Sequence, residues 1–181
     1  MSYSSQLLIA APALADPNFR QTVVLVLSGG EETFGVILNR QSEKPITELW
    51  EQIFETPCRT KQHLYLGGPV FGPLIALHTA EAFADAQVLP GLYVSSQKES
   101  LEAVVGDEHQ PFRLYVGGAG WGKKQLQAEI QQGAWFMTPA TIGDVFDDPT
   151  ELWRKTLDRA GRGMLASMLH QKRLPDDPTW N

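Results

Sequence analysis

One cysteine, Cys58, is the only thiol in this chain of 181 residues. An intrachain disulfide is therefore excluded, and a reducing, cytoplasmic setting is expected. Basic residues are also scarce: 15 lysines and arginines stand against 21 acids, for a net charge of −6. No run of Lys and Arg supplies the cationic face that a phosphate backbone needs, so direct nucleic-acid binding is not expected. Long apolar runs are missing too. The N-terminal stretch "LLIAAPALADPNF" lacks a cationic start and is broken at Pro12 and Pro17. That argues against a signal peptide and against a membrane span. The histidines, His63, His78, His109 and His170, share no metal-ligand spacing with one another, with Cys58 or with carboxylates, so neither a metal nor a cofactor is expected. The dinucleotide fingerprint and the P-loop pattern are both absent.

What is present is a globular composition, with 43% hydrophobic and 20% charged residues, enough to build a real core. One domain over residues 1–170 and a loose tail over 171–181 are expected, since no linker divides the chain and "RLPDDPTWN" has no periodicity. The run at 6–14 reads as a strand that enters an irregular turn at Pro12, and those at 20–28 and 33–40 as strands covered on both faces and joined as a hairpin by "GGEE". "HLYLGG" and "PLIALHT" read as a strand pair around a double glycine, and "GLYVSS", "PFRLYVGG" and "AWFMTP" as further strands. Helical spacing appears in "KPITELWEQIFE", with Leu49, Trp50, Ile53 and Phe54 on one side. Ser96 and Glu99 form a capping-box pattern before "QKESLEAVVG". "GKKQLQAEIQQG" buries Leu126 and Ile130, a helix over 148–160 ends at Gly161, and "MLASMLHQK" forms a last helix. The mixture of hairpins and β-α-β units predicts an α+β fold with a mixed sheet.

Two motifs end a strand in paired glycines: "LYLGGPV" at 64–70 and "LYVGGAGWG" at 114–122. Strand, glycine turn and helix start, as in "LYVGGAGWGKKQ", is the shape of a phosphate cradle. The structural reading, that the glycines allow close backbone approach while Trp121 plugs a core edge, is the favoured one. Both turns are predicted to meet at one rim of the sheet. Other constellations are weak. Ser95-x-x-Lys98 lacks its partner motifs, and Asp147-Asp148 and Asp176-Asp177 flank prolines as caps do.

The order of motifs over residues 5–161 resembles the AlgH/YqgE family of bacterial proteins: "LLIAAPALADPNFRQTVVLVL", "GVILNR", "LYLGGPV", "ALHT", "GGAGWGKKQLQAEIQQGAWF" and "ELWRKTLDRAG". The resemblance implies an α+β fold whose bifurcated sheet is rolled into a pseudo-barrel with helices packed outside. It brings no established activity and no cofactor, only a transcriptional-regulator label from a genetic link to alginate production. By position the family's characteristic patches fall on Pro12, Asp16 and Phe19; on Gly35 and Asn39; on Gly67, Gly68, Pro69 and Val70; on His78; and on Gly120, Trp121, Gln125 and Leu126. The chain departs from the family at Leu27-Ser28-Gly29, where Glu-His-Asn is usual, at Gln41, at Gly118, where an aromatic is usual, and at Lys123-Lys124.

Two functions follow. The first is a non-enzymatic regulatory or adaptor domain that binds a protein or small ligand through a glycine-rich rim, with Trp121 and Trp135 as anchors. The second is a hydrolase or transferase acting on a phosphate- or carboxylate-bearing metabolite. It would use His78 as base, Asn39 as orienter and the Gly118–Gly122 amides as an anion cradle. The candidate ligand-binding residues are Asn39, Gly67, Gly68, Pro69, His78, Gly118, Gly120, Trp121 and Gln125.

Overall fold

The computed structural model describes residues 3–30, 32–107 and 109–171. Strands β1 (Gln6–Ala10), β2 (Val23–Ser28) and β3 (Glu32–Ile37) form an antiparallel meander, the β2–β3 hairpin as predicted. Their side chains alternate between two apolar environments. Leu7, Ile9, Val23 and Leu25 join one buried cluster, and Leu8, Ala10, Val24 and Val26 another. Both faces are thus covered, as the doubly apolar runs require.

The strand that organises the sheet is β9 (Phe112–Gly122), with 11 residues. One of its edges pairs with β6 (Val70–His78), antiparallel. The other edge is shared. Its C-terminal part, Ala119–Gly122, pairs with β3, and its N-terminal part, Tyr115–Val116, pairs in parallel with β5 (His63–Leu66). The sheet forks there, with β4 (Gln41–Pro45) continuing beyond β5. On the far side of β6 lie β8 (Leu92–Ser95) and β7 (Ala86–Leu89), and β10 (Trp135–Pro139) flanks β1. The result is the expected α+β fold: a mixed, bifurcated sheet curled into a half-barrel. Ser5 Oγ donates to the Val88 carbonyl at 2.5 Å and ties β7 to the start of β1.

This pairing corrects one expectation. β5 and β6 do not pair with each other, because β9 lies between them. The link of residues 67–69 crosses from one edge of β9 to the other. It does so directly over the second double glycine. Gly67 N–H donates to the Val116 carbonyl at 2.9 Å, its carbonyl accepts from Ile37 N–H at 2.7 Å, and Val70 pairs with Gly118. A Cβ on Gly67 or Gly68 would overlap the carbonyl oxygens of Gly117 and Gly118, and Gly68 also sits at φ +150°. The two glycine pairs are a crossing of backbone over backbone, and the two motifs meet as predicted.

Five helices, among the described residues, cover the sheet. In α1 (Ile46–Ile53) the buried stripe is Ile46, Trp50 and Phe54, with the last two rings stacked at 3.9 Å. Ile53, predicted on the inner side, is 53% exposed: the stripe starts one turn earlier, at Ile46. Helix α2 (Lys98–Gly106) is not capped by Ser96 and Glu99. The Asp85 carboxylate caps it from the other side of the β7–β8 hairpin, accepting from Ser96 N–H at 2.6 Å, Gln97 N–H at 2.9 Å and Ser100 Oγ at 2.6 Å. Helix α3 (Lys123–Gln131) follows β9 with no intervening turn. The short α4 (Ile142–Phe146) and strand β7 were not foreseen. Helix α5 (Pro149–Gln171) opens with Asp148 accepting from Thr150 N–H at 2.9 Å, as predicted. It then runs through Gly161 and Gly163 in one piece, since neither adopts the positive φ that ends a helix. Beyond Gln171 the predicted tail lies outside the described residues. No helix among those residues is long and apolar enough to cross a membrane.

The crossing yields a stability prediction. Gly68→Ala should cost more than about 4 kcal/mol, in the exceptional range for one substitution, because backbone must move. Gly72→Ala, where an added Cβ meets nothing within 4 Å, should be neutral to within about 0.5 kcal/mol. Urea denaturation of both variants checks the contrast.

Candidate functional site

Residues from three separated segments converge on one cleft of about 330 Å³. The segment before β2 supplies Leu14, Asp16 and Phe19. The end of the crossing supplies Pro69 and Val70. The end of β9 with α3 and the start of β10 supplies Gly120, Trp121, Gln125, Glu129 and Trp135. Four of the sequence-predicted residues, Pro69, Gly120, Trp121 and Gln125, are therefore neighbours. So are Asp16, Phe19 and Val70, which the family resemblance marked.

Each wall has a local cause. Asp16 Oδ1 accepts from Asn18 N–H at 2.8 Å, and its carbonyl accepts from Phe19 and Arg20 N–H at 3.0 and 2.7 Å, so the loop coils tightly and turns Phe19 inward. Phe19, Trp121 and Trp135 form a triangle with ring centroids 5.4–5.7 Å apart, two of the three pairs edge-on. Both indoles are nearly buried, 4% and 3% exposed, so each N–H needs an acceptor. Glu129 Oε2 serves both, at 3.0 Å from Trp121 Nε1 and 2.8 Å from Trp135 Nε1, and Oε1 accepts from Gln125 Nε2 at 2.9 Å. Sequence reasoning missed Glu129. The available signal was its place one helical turn after Gln125, on the face of α3 that meets the tryptophans.

The other candidates are elsewhere. Gly67 and Gly68 form the backbone crossing, and the space beside Gly118 is filled by the Phe34 ring. Residues 119–122 are not a turn: they are ladder positions opposite β3, which leaves no glycine loop to cradle an anion. Asn39 is a clamp. Its Oδ1 accepts from Val23 N–H at 2.9 Å and its Nδ2 donates to the Gln21 carbonyl at 2.9 Å, holding Gln21 at φ +55°. It thereby fixes where the Asp16–Phe19 loop joins β2, and it lines a different, open groove with Arg40, Gln41 and Leu66. His78 is at 0% exposure. Its Nε2 lies 2.9 Å from Ser95 Oγ, whose own proton goes to the Phe83 carbonyl at 2.7 Å, so Nε2 is the donor. The ring is closed off from solvent, and Asn39 and Gln125 line two different clefts.

Two outcomes follow. Glu129→Ala leaves two buried indole N–H groups without acceptors and should cost about 2–4 kcal/mol in urea denaturation, whereas Glu129→Gln, which keeps a carbonyl oxygen in place, should lose about 1 kcal/mol or less. Burial holds the His78 pKa below the ordinary 6.5. The unfolded chain therefore binds a proton near 6.5 that the folded chain refuses, and stability falls as pH drops through that value. Thermal melts between about pH 7 and 5 should show this loss, and His78→Gln should flatten it within that window.

Comparison with known proteins gives a consistent result. The model of the AlgH-like family (DUF179) matches residues 7–164. A UPF0301 protein of Thermobifida fusca is 36% identical over 200 residues, covering 100% of this chain and 96% of its own. One from Myxococcus xanthus is 37% identical over 169 residues, covering 90% and 92%. The solution structure of AlgH from Pseudomonas aeruginosa superposes with a TM-score of 0.73 at 29% identity, covering 94% of each chain. A crystal structure from Corynebacterium diphtheriae gives 0.68 at 29% identity, covering 86% of each. With the family model spanning nearly the whole described fold, the chain belongs to the AlgH-like family.

Proposed function

We propose that this protein is a non-catalytic binding module of regulatory or adaptor type, working in a reducing, cytoplasmic setting, that docks a partner protein on the corner where β5 crosses to β6. The observation that carries this reading is Phe71, 98% exposed at the start of β6. Val70, next to it in sequence and part of the cleft wall, is 45% exposed, so the corner presents a small apolar ridge next to the cleft. An apolar ring left almost wholly in solvent on the rim of a concave cleft is a group that a docked partner would cover. The ridge stands on the interlocked glycines, and a partner would lose little free energy in ordering it. A transcriptional role would then run through that partner, since a net charge of −6 and a cleft lined by Asp16 and Glu129 both repel a phosphate backbone. The enzyme alternative gains no support: its base is sealed, its three polar groups are dispersed, and its anion cradle is a ladder of paired strand.

Phe71→Ser is the test. The side chain is almost wholly in solvent, so stability should stay within about 0.5 kcal/mol of wild type. A partner captured by the wild-type protein from a bacterial lysate should be lost by this variant and kept by Met164→Ser, a control at another exposed apolar residue, 45% accessible on α5. Equal capture by wild type and Phe71→Ser would overturn the reading.

A further inference from the structure

We infer that the cleft beside this corner is a receptor for an arginine side chain carried by the docked partner. The inference rests on the reading of this face as a docking surface, and it adds the chemistry of what enters.

The lining decides the sign of the ligand's charge. It contains two carboxylates, Asp16 and Glu129, and among the described residues no Lys, Arg or His. Arg40 interacts electrostatically with Asp16 from outside the cleft lining, and its guanidinium donates to the Pro17 carbonyl at 2.9 Å. Glu129 is different. Its partners are three neutral donors, two indoles and an amide. Neutral donors orient a carboxylate without cancelling its charge. A carboxylate offers about four lone-pair positions, and these bonds occupy three, so the group is held rigidly with capacity for one further donor. It is a fixed negative charge facing a half-enclosed space.

The rest of the lining decides the shape. Leu14, Phe19, Val70 and the indole edges make apolar walls, which suit an aliphatic stem with a charged end better than a hydrated inorganic cation. The volume of about 330 Å³ is at the small end of the range for ligand pockets, about 300–1,000 Å³, so it fits one side chain and not a dinucleotide. Arginine is favoured over lysine because its planar fork offers several donors to carboxylate oxygens and can lie against aromatic surface. Val70 belongs both to the cleft wall and to the exposed ridge. A partner segment lying across Phe71 would therefore pass the mouth of the cleft.

The indole protons give a direct assay. In the nitrogen-15 spectrum, the Nε1–H signals of Trp121 and Trp135 report on the Glu129 carboxylate. Those of Trp50 and Trp153 bond the carbonyls of Thr56 and Ala10 and serve as internal controls. The probe is Nα-acetyl-arginine amide. It should move the Trp121 and Trp135 signals saturably while Trp50 and Trp153 stay still, and Nα-acetyl-glutamate amide should move none. Glu129→Gln should weaken binding about tenfold, the loss of one charge-assisted hydrogen bond. Asp16→Asn, a second variant that leaves the indole network intact, should weaken it about threefold. Absence of saturable shifts, identical shifts with sodium chloride at matched ionic strength, or full binding by Glu129→Gln would overturn the inference. Tighter binding of free agmatine than of the blocked arginine would also overturn it, since the occupant would then be a small amine. Partner capture that is lost in Phe71→Ser but kept in Glu129→Gln would sink the arginine pocket alone and leave the docking surface standing.

Discussion

The crossing of residues 67–69 over β9 is the constraint on which the rest of this structure depends. Two extended segments can touch face to face at this distance only if neither carries a side chain at the contact, so both must be glycine there. Because the link passes over β9, β5 and β6 end up on opposite edges of the same strand, one parallel and one antiparallel. The fork follows from that, since β5 occupies half of an edge and leaves the other half to β3. The crossing also delivers Pro69 and Val70 to the cleft and Phe71 to solvent. Fold, cleft and ridge share a single cause.

The cleft is built around an acid whose first duty is structural. Two large indoles are nearly buried, and each needs an acceptor. A single carboxylate on α3 meets both needs and locks helix, β9 and β10 together. The electrostatic by-product is a negative potential where the glycine motif had suggested room for an anion. Charge, more than glycine content, therefore sets which ligands this face can accept.

Much of the fold was legible because it follows from periodicity. The doubly apolar strands, the β2–β3 hairpin and the Leu126 face of α3 all came from local pattern. Several of the wrong or missing elements have a non-local origin, while α4, with its Thr141–Asp144 capping box, was locally signalled and overlooked. Asp85 caps α2 from another hairpin, so Ser96 and Glu99, a sound local pattern, are left unused. Gly161 looks like a stop, yet no left-handed turn is required there and α5 continues. Strand β7 is short, and only pairing with β8 defines it. The separation of β5 from β6 could not be read from a chain in which they are three residues apart; it depends on a strand more than forty residues later. At the site, the aromatic and glycine members were recognisable as motif residues, and the family's order of motifs drew in Asp16 and Phe19. Glu129 was passed over, despite its i,i+4 spacing from Gln125, because a glutamate on a polar helix reads as solvated surface until its two tryptophan partners are placed. His78 could be read two ways, as a cleft residue or as a hydrogen-bonded strand end, and the fold that closes over it gives the second.

The central position of β9 has a consequence for how the chain acquires its shape. β3, β5 and β6 each depend on β9 as a shared neighbour, and β9 ends at residue 122. Until that segment has left the ribosome, the first two-thirds of the sequence holds strands with no common partner and open edges. The pairings that complete the sheet are long-range, which slows folding and lengthens the exposure of apolar surface. The glycine crossing adds an order of events, since the 67–69 link must lie over β9 before β6 can lock along its far edge. During synthesis, this protein's yield of folded chains should therefore be governed by the interval around emergence of β9, when the fork either closes correctly or leaves its strands free to pair with other molecules.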